Sequence, residues 1–480
     1  MMRRTKIVAT LGPATDDLDV LVEMCHAGLD VARINFSHGT QQDHLRRLEL
    51  LREAMRRTGR YVAVLGDLSG PKIRIESFVA GAAQLVEGQA FALDTALDKK
   101  SGNEREVGVA YKELVADVAA GDTLLLNDGL IVLEVLAVQG TRIETRVVAG
   151  GELSNRKGLN RKGGGISAPA LTDKDREDIV FAAAQHIDYV ALSFVRDAED
   201  LHQARALLRA AGGNFTRLVA KIERHEAVAQ LAGIIDATDV VMVARGDLGV
   251  EMGHAALTGL QKTIIHETRM RNRITITATQ MMESMIQNPV PTRAEVSDVA
   301  NAVLDGTDAV MLSNESAVGD FPVEAVATMA TVARRIERDY PLRVLDNHMA
   351  TTIPNAICQA VSSVARQLNA AAILPLTKSG ATARNVSKFR PSTPILAITS
   401  EEKVARQLQL VWGVNPLLVS EMDTSSSTFS KAMAVAQEQG VLAQGDLVVQ
   451  TCGTLAGVSG STDLLKVGLV GSEGSAPVIL

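Results

Sequence analysis

Apolar positions along the chain fall into short, β-branched runs separated by longer stretches of helical period, the alternation expected of a parallel sheet with crossover helices. Ile7-Val8-Ala9-Thr10 opens the series, and Leu18, Leu21, Val22 and Cys25 then recur at helical spacing until Gly28. Thr15 is the expected N-cap of that helix, with Asp16 and Asp17 in its first turn. Further strand-like runs at Val31 to Phe36, Val62 to Gly66, Tyr189 to Ser193, Leu218 to Ile222, Val240 to Ala244, Ile274 to Ala278 and Ala309 to Leu312 bring the number to eight. Eight strands alternating with helices predict an α/β fold built on a closed TIM (β/α)8 barrel, with functional groups at the carboxyl ends of the strands.

The pattern changes twice. Between the third and fourth runs, from about Pro71 to Pro169, lie short strand candidates, Gly-rich turns and the hairpin signal Asn127-Asp128-Gly129, which predict a small all-β module (71–169) inserted over the barrel mouth. The barrel then occupies 1–70 and 170–342. After about Pro341, runs at Ala371 to Leu376, Ile395 to Thr399, Leu417 to Val419, Leu447 to Thr451 and Leu464 to Val470 predict a separate α/β domain (343–480). Low complexity is confined to a Ser/Thr cluster at Thr424 to Thr428 and a Gly/Ser-rich tail.

Parity within the strands brings in chemistry, because alternate side chains share a face. On the second run Arg33, Asn35 and Ser37 oppose Ala32, Ile34 and Phe36. On the fifth, Lys221 and Glu223 share a face with Val219, and on the seventh Thr275, Thr277 and Thr279 oppose Ile274, Ile276 and Ala278. A buried polar group without a partner costs about 1–3 kcal/mol, so these residues need one another or a ligand, and a ligand site is the simpler account. An isolated Lys-x-Glu is ordinarily a strand-end ion pair. Here Asp247 follows the next strand, so Glu223 and Asp247 could converge on one cation, and hard oxygen ligands with open positions favour Mg²⁺ or Mn²⁺. Gly246 is either a turn glycine or a seat for a substrate carboxylate on exposed amides. Thr377-Lys378-Ser379-Gly380-Ala381-Thr382, between a strand and a helix, reads either as a capping loop or as an anion nest.

Composition narrows the class. A chain of 480 residues is too long for one compact core. Its three cysteines are widely separated, which argues against a disulfide framework or a zinc site and for a reducing compartment. The amino terminus shows no secretory pattern and the apolar runs are too short to span a bilayer, so a soluble, cytoplasmic protein is expected. A net charge of −7 with few aromatics gives no global reason to bind nucleic acid.

Val31 to Gly39, Ala220 to Glu226, Met242 to Glu251 and Ala278 to Gly319 resemble, in order and spacing, the signature blocks of the pyruvate kinase family, and the resemblance covers essentially the whole chain. It implies Mg²⁺-dependent transfer of the phosphoryl group of phosphoenolpyruvate to ADP, giving pyruvate and ATP. Lys221 matches the catalytic lysine, Glu223 and Asp247 the metal ligands, Arg33 the phosphoryl contact, and Gly246 and Thr279 the grip on the substrate carboxylate. Asn35, Phe36, Ser37, His38, Arg74 and Lys157 match nucleotide contacts, although His38 reads equally as a structural histidine. Ser313 and Glu315 match a pair implicated in proton delivery to the enolate.

Asn35, Ser37 and Asp67 match ligands of a monovalent cation, yet Lys72 stands where potassium-dependent members carry glutamate. That resembles the potassium-independent branch, in which an ammonium supplies the charge; the other reading is an exposed lysine. The Thr377, Lys378, Ser379, Gly380 and Thr382 loop matches an effector loop, implying activation by a phosphorylated metabolite. Lys378, Arg384 and Lys388 add charge nearby, and Thr451 to Gly460 bears on which effector is chosen. The family also implies a homotetramer.

Two other classes compete. A metal-dependent aldolase or lyase would also stabilise an enolate at a barrel mouth, but Arg33 to His38, Arg74 and the inserted module suit a nucleotide. A degenerate effector-binding regulator is disfavoured by intact Lys221, Glu223, Asp247 and Thr279.

Overall fold

A computed structural model describes residues 3–340, 352–422, 425–453 and 461–471. Eight parallel strands close into a barrel: β1 Lys6–Leu11, β2 Val31–Asn35, β3 Ala63–Asp67, β4 Tyr189–Leu192, β5 Arg217–Ile222, β6 Val240–Ala244, β7 Ile274–Ala278 and β8 Ala309–Leu312. Each strand neighbours the next in sequence, and β8 closes on β1 through Lys6 opposite Ala309. All eight expected runs are strands. Val8, Val31, Leu65, Val219, Met242 and Ile276 fill the barrel, while Ile34, Leu192, Ala220, Ile222 and Val243 pack outward under the helices.

Two local expectations need correction. Thr15 does not cap the first helix: it ends a short turn, Pro13–Thr15, where its hydroxyl donates to the Gly12 carbonyl at 3.0 Å. Asp17 caps Leu18–Ala27 instead, accepting from the amides of Asp19 and Val20, because it stands immediately before the first helical residue. On β7 the barrel interior receives Ile274, Ile276 and Ala278. Thr277 instead bonds Thr307 at 3.0 Å, so the strand's parity does not carry a polar face into the mouth. Thr279 reaches the mouth by another route, described below.

Between β3 and β4 the chain forms a six-stranded sheet and a two-stranded ribbon with one short helix, Leu114–Asp117. The module has its own core around Phe91, Leu124, Leu133 and Ile143. Asn127, Asp128 and Gly129 join Thr123–Leu126 to Ile131–Gln139 at φ of 51°, 55° and 86°, backbone angles those residue types accept. The module is seated at the carboxyl ends of β5 and β6: Arg224 donates to the Ile166 carbonyl at 2.8 Å, and Asn160 to Glu251 at 3.3 Å.

The carboxyl-terminal domain is a five-stranded sheet in the order Val414–Leu418, Ile395–Thr399, Ala372–Pro375, Leu447–Gly453, Thr462–Leu469, the last strand antiparallel. Its edge strand begins at Val414 rather than Leu417. Asn415 and Pro416 broke the sequence pattern, yet an edge strand tolerates a proline. The domain seals the amino-terminal end of the barrel, where Tyr189 donates to the Gln407 carbonyl at 2.6 Å and Lys6 to the Val414 carbonyl at 2.7 Å. The boundary at 342–343, most of the Thr451 to Gly460 region and the Gly/Ser tail lie outside the described residues. Among the described residues, no helix is long and apolar enough to cross a membrane.

Candidate active site

The open end of the barrel gathers charge from β2, β3, β5 and the segment after β6. Lys221, on the inward face of β5, places its ammonium 2.9 Å from Glu223 and 3.4 Å from Asp67, and donates to Ser193 Oγ at 2.7 Å. Burial would pull this ammonium down, but Asp67 and Glu223 outweigh it and hold its pKa above the ordinary lysine value. Arg33 reaches from β2 to the other oxygen of Asp67 at 2.7 Å and donates to Thr10 Oγ1 at 3.0 Å. Asp67 is thus the counter-ion of two cations. Although burial pushes its pKa upward, Lys221 and Arg33 bring it below the ordinary carboxylate value.

Glu223 accepts the Phe194 amide at 2.7 Å, presented by a left-handed backbone at φ 58°. Its pKa is raised by burial, and the negative charge of Asp247 adds to the rise. The two carboxylates therefore sense each other at the mouth, each beside an ammonium: Glu223 beside Lys221, and Asp247 beside Lys72 at 3.1 Å. Glu223 and Asp247 offer hard carboxylate oxygens of the kind that bind Mg²⁺.

Asp247 sits in the first turn of the helix Arg245–Met252, directly after β6. The Gly246 amide donates to Thr279 Oγ1 at 2.9 Å, and a methyl group built on Gly246 would meet nothing nearer than that oxygen at 3.8 Å. Thr279 has φ 70°, an outlier for a β-branched residue that the surroundings must enforce. Arg245 does so, donating to the Ala278 and Thr279 carbonyls at 3.2 and 2.7 Å while paired with Asp298 at 2.7 Å. This turn, and not strand parity, delivers Thr279 to the mouth.

Other expected residues are placed less directly. Asn35 and His38 contact each other at 3.3 Å, and the Ser37 amide donates to Asn35. The Phe36 ring is buried against His44 and Phe181 in the layer under the helices, and its carbonyl accepts from Lys174 at 2.8 Å. Arg74 lies opposite Gly158, beside Lys157, on one edge of the inserted module. Glu315 is buried and receives the Ser313 and Met282 amides at 2.7 and 3.1 Å, so it braces the loops after β7 and β8. Lys72 pairs with Asp247 and not with Asp67, whose cations are Arg33 and Lys221.

In the carboxyl-terminal loop Thr377 and Thr382 are buried, and Thr382 contacts Thr462 at 3.0 Å. Gly380 has φ 79°, while the Ser379 carbonyl accepts from Arg217 and Arg384. Lys378 is exposed. Lys388 was expected to add charge to this loop, but its ammonium bonds the Met270 carbonyl of the barrel at 2.9 Å.

Three functional positions escaped the sequence reading: Ser193, Arg245 as a clamp, and Asp67 as a shared counter-ion. Ser193 had a signal, a lone hydroxyl ending an apolar strand. The other two depend on neighbours remote in sequence.

Fold and site together define a barrel enzyme with an inserted module at its mouth, where acidic and basic side chains from several strands meet. A family model described as "Pyruvate kinase, barrel domain" matches residues 2–326, and one described as "Pyruvate kinase, alpha/beta domain" matches residues 355–468. The chain is 49% identical to "Pyruvate kinase 2" of Synechocystis sp. over 98% of its own length and 79% of that protein's. It is 47% identical to "Pyruvate kinase II" of Salmonella typhimurium over 97% and 98% of the two. The crystal structure of a pyruvate kinase from Cryptosporidium parvum superposes with a TM-score of 0.90 at 34% identity, covering 98% of this chain and 96% of that one. The chain belongs to the pyruvate kinase family and is a phosphotransferase.

Proposed function

We propose that the enzyme transfers the phosphoryl group of phosphoenolpyruvate to ADP at the mouth of the barrel, with Mg²⁺ held by Glu223 and Asp247. The observation that carries this reading is the Lys221 ammonium, kept charged between Asp67 and Glu223, with Asp247 close enough to act on Glu223. The bound cation would supply Lewis-acid polarisation of the phosphoryl donor. Lys221 stabilises charge developing between the phosphoryl group and the enolate oxygen, and Arg33 holds the transferring group. The Gly246 amide and the Thr279 hydroxyl orient the substrate carboxylate. Asn35, Ser37, His38, Arg74 and Lys157 contact the nucleotide, the last two brought over the mouth by the inserted module, which excludes water.

Proton delivery to the enolate goes through Ser313, since both Glu315 oxygens accept backbone amides. Potassium is dispensable in this reading because Lys72 stands where potassium-dependent members of the family carry glutamate, and its ammonium lies at the mouth, 3.1 Å from Asp247. The Thr377 to Thr382 loop binds a phosphorylated activator, in a cytoplasmic homotetramer. Pyruvate and ATP formation from phosphoenolpyruvate and ADP, with Mg²⁺ and with sodium replacing potassium, tests the catalytic reading. Activity should persist in sodium, and Lys72→Glu should create a potassium requirement. A strict potassium requirement in the unsubstituted enzyme refutes the cation assignment while leaving phosphoryl transfer standing.

A further inference from the structure

Away from the mouth, a groove of about 720 Å³ opens on the barrel flank where the helix Gln41–Thr58, the turn before β4 and the carboxyl-terminal domain meet. Its floor is apolar, formed by Leu51, Met55, Val62 and Val64 with Tyr61 beside them. Its rim is cationic. Arg52 and Arg56 share one helix face, Arg60 continues the line just past the helix end, and Arg406 faces them from the other domain.

Two acids, Asp188 and Glu402, also line the groove, and Arg406 engages both, at 3.2 and 3.1 Å. The remaining arginines are lightly held: Arg52 donates to the Gln185 carbonyl at 2.9 Å, Arg60 reaches Asp30 only at 3.9 Å, and Arg56 pairs with Glu53 on its own exposed helix face. On a chain of net charge −7, guanidinium groups converging over an apolar floor make a local field opposite to that of the protein as a whole. The volume is that of a small-molecule site.

We propose that this groove binds a small organic phosphate monoester, its phosphate on Arg52, Arg56 and Arg60 and its flat, apolar body against Tyr61 and Met55. Guanidinium forks match phosphate oxygens in pairs, and a bare anion would leave the floor in water. The site is distinct from the mouth and from the Thr377 to Thr382 loop, yet joined to both. Arg406 grips Asp188, which immediately precedes β4. Its neighbour Gln407 meets Tyr189 and Arg217, and Arg217 also bonds the Ser379 carbonyl at 2.8 Å. A ligand on the rim therefore bears on the contact between the two domains, independently of how the catalytic site is read.

Titration calorimetry with phenyl phosphate, phenol and inorganic phosphate tests this. The full chain carries Lys221→Met and Lys378→Ala, with phosphoenolpyruvate and ADP filling the mouth. Phenyl phosphate should still bind, roughly tenfold more tightly than either phenol or phosphate, and Arg52→Ala/Arg56→Ala should weaken it by about tenfold or more. In the otherwise unsubstituted enzyme the same pair should leave turnover unchanged. Arg56→Gln alone, at an exposed position, should weaken binding in the same direction and serves if the double variant does not fold. Binding of phenyl phosphate that is absent, that survives these substitutions undiminished, or that phenol equals would overturn the proposal.

Discussion

Both ends of the barrel carry buried charge and use it in opposite ways. At the amino-terminal end each charge is enclosed by fixed partners: Asp308 meets Arg390 of the adjoining domain at 3.1 Å and accepts the Thr275 and Trp412 amides, while Glu337 accepts those of Arg4 and Thr5 within the barrel domain. At the carboxyl end Lys221, Asp67, Glu223 and Asp247 lean on one another across a space bordered by Gly246 and Thr279. Buried charge closed on every side holds domains together, whereas buried charge with one side open is prepared to meet a ligand. Removing a charge from the first set should cost stability, and from the second, turnover.

The largest effect is expected from Lys221→Met. Turnover should fall by about 10³-fold or more, because the group it removes acts on charge that develops during the reaction. Steady-state pyruvate formation checks this, and turnover within tenfold of the parent enzyme would remove the assigned role. Next comes Asp308→Ala, which strands a buried guanidinium and two amides. Denaturant unfolding should register a loss of about 3–5 kcal/mol, with turnover of the folded fraction little changed.

Thr279→Gly separates the two currencies at one residue. It relieves a left-handed backbone strain of about 1–3 kcal/mol but deletes the hydroxyl that meets Gly246. Stability should therefore stay within about 1 kcal/mol of the parent, while kcat/KM falls roughly 10²-fold.

The smallest effect concerns Glu251, which lies near the mouth yet is enclosed, like the opposite end, by the His225 amide at 2.9 Å and by Asn160 of the inserted module. Burial pushes its pKa from the usual 4.5 up to about 7. Between those values the folded protein holds a proton that the unfolded chain has released, so raising the pH through this window lowers stability. Glu251→Gln should flatten that slope in a pH series of unfolding midpoints, leaving activity near neutral pH largely intact. An unchanged slope would place the titration elsewhere.

The eight strands were legible because a barrel strand is buried on both faces and reads as a short, mostly apolar or β-branched run. The inserted module showed through its hairpin, whose three turn residues all take positive φ. Lys221 and Glu223 were legible as one face of β5. The direction of the Phe36 ring was not legible, because a motif's position in a chain says nothing about where each side chain points, and this ring fills the space beside Gly66. Strand parity does not carry Thr279 to the Gly246 amide: alternation ends with β7 at Ala278, and the Arg245 clamp holds the turn that follows.

By itself the sequence determined which elements form, since period and turn chemistry are local properties, and it determined which residue types stand at the strand ends. Only the tertiary structure decided which charges face one another. It set Asp67 between Arg33 and Lys221, Lys72 on Asp247 and four arginines around one groove. Partners tens or hundreds of residues apart acquire a distance, and with it an energy, only when the barrel closes.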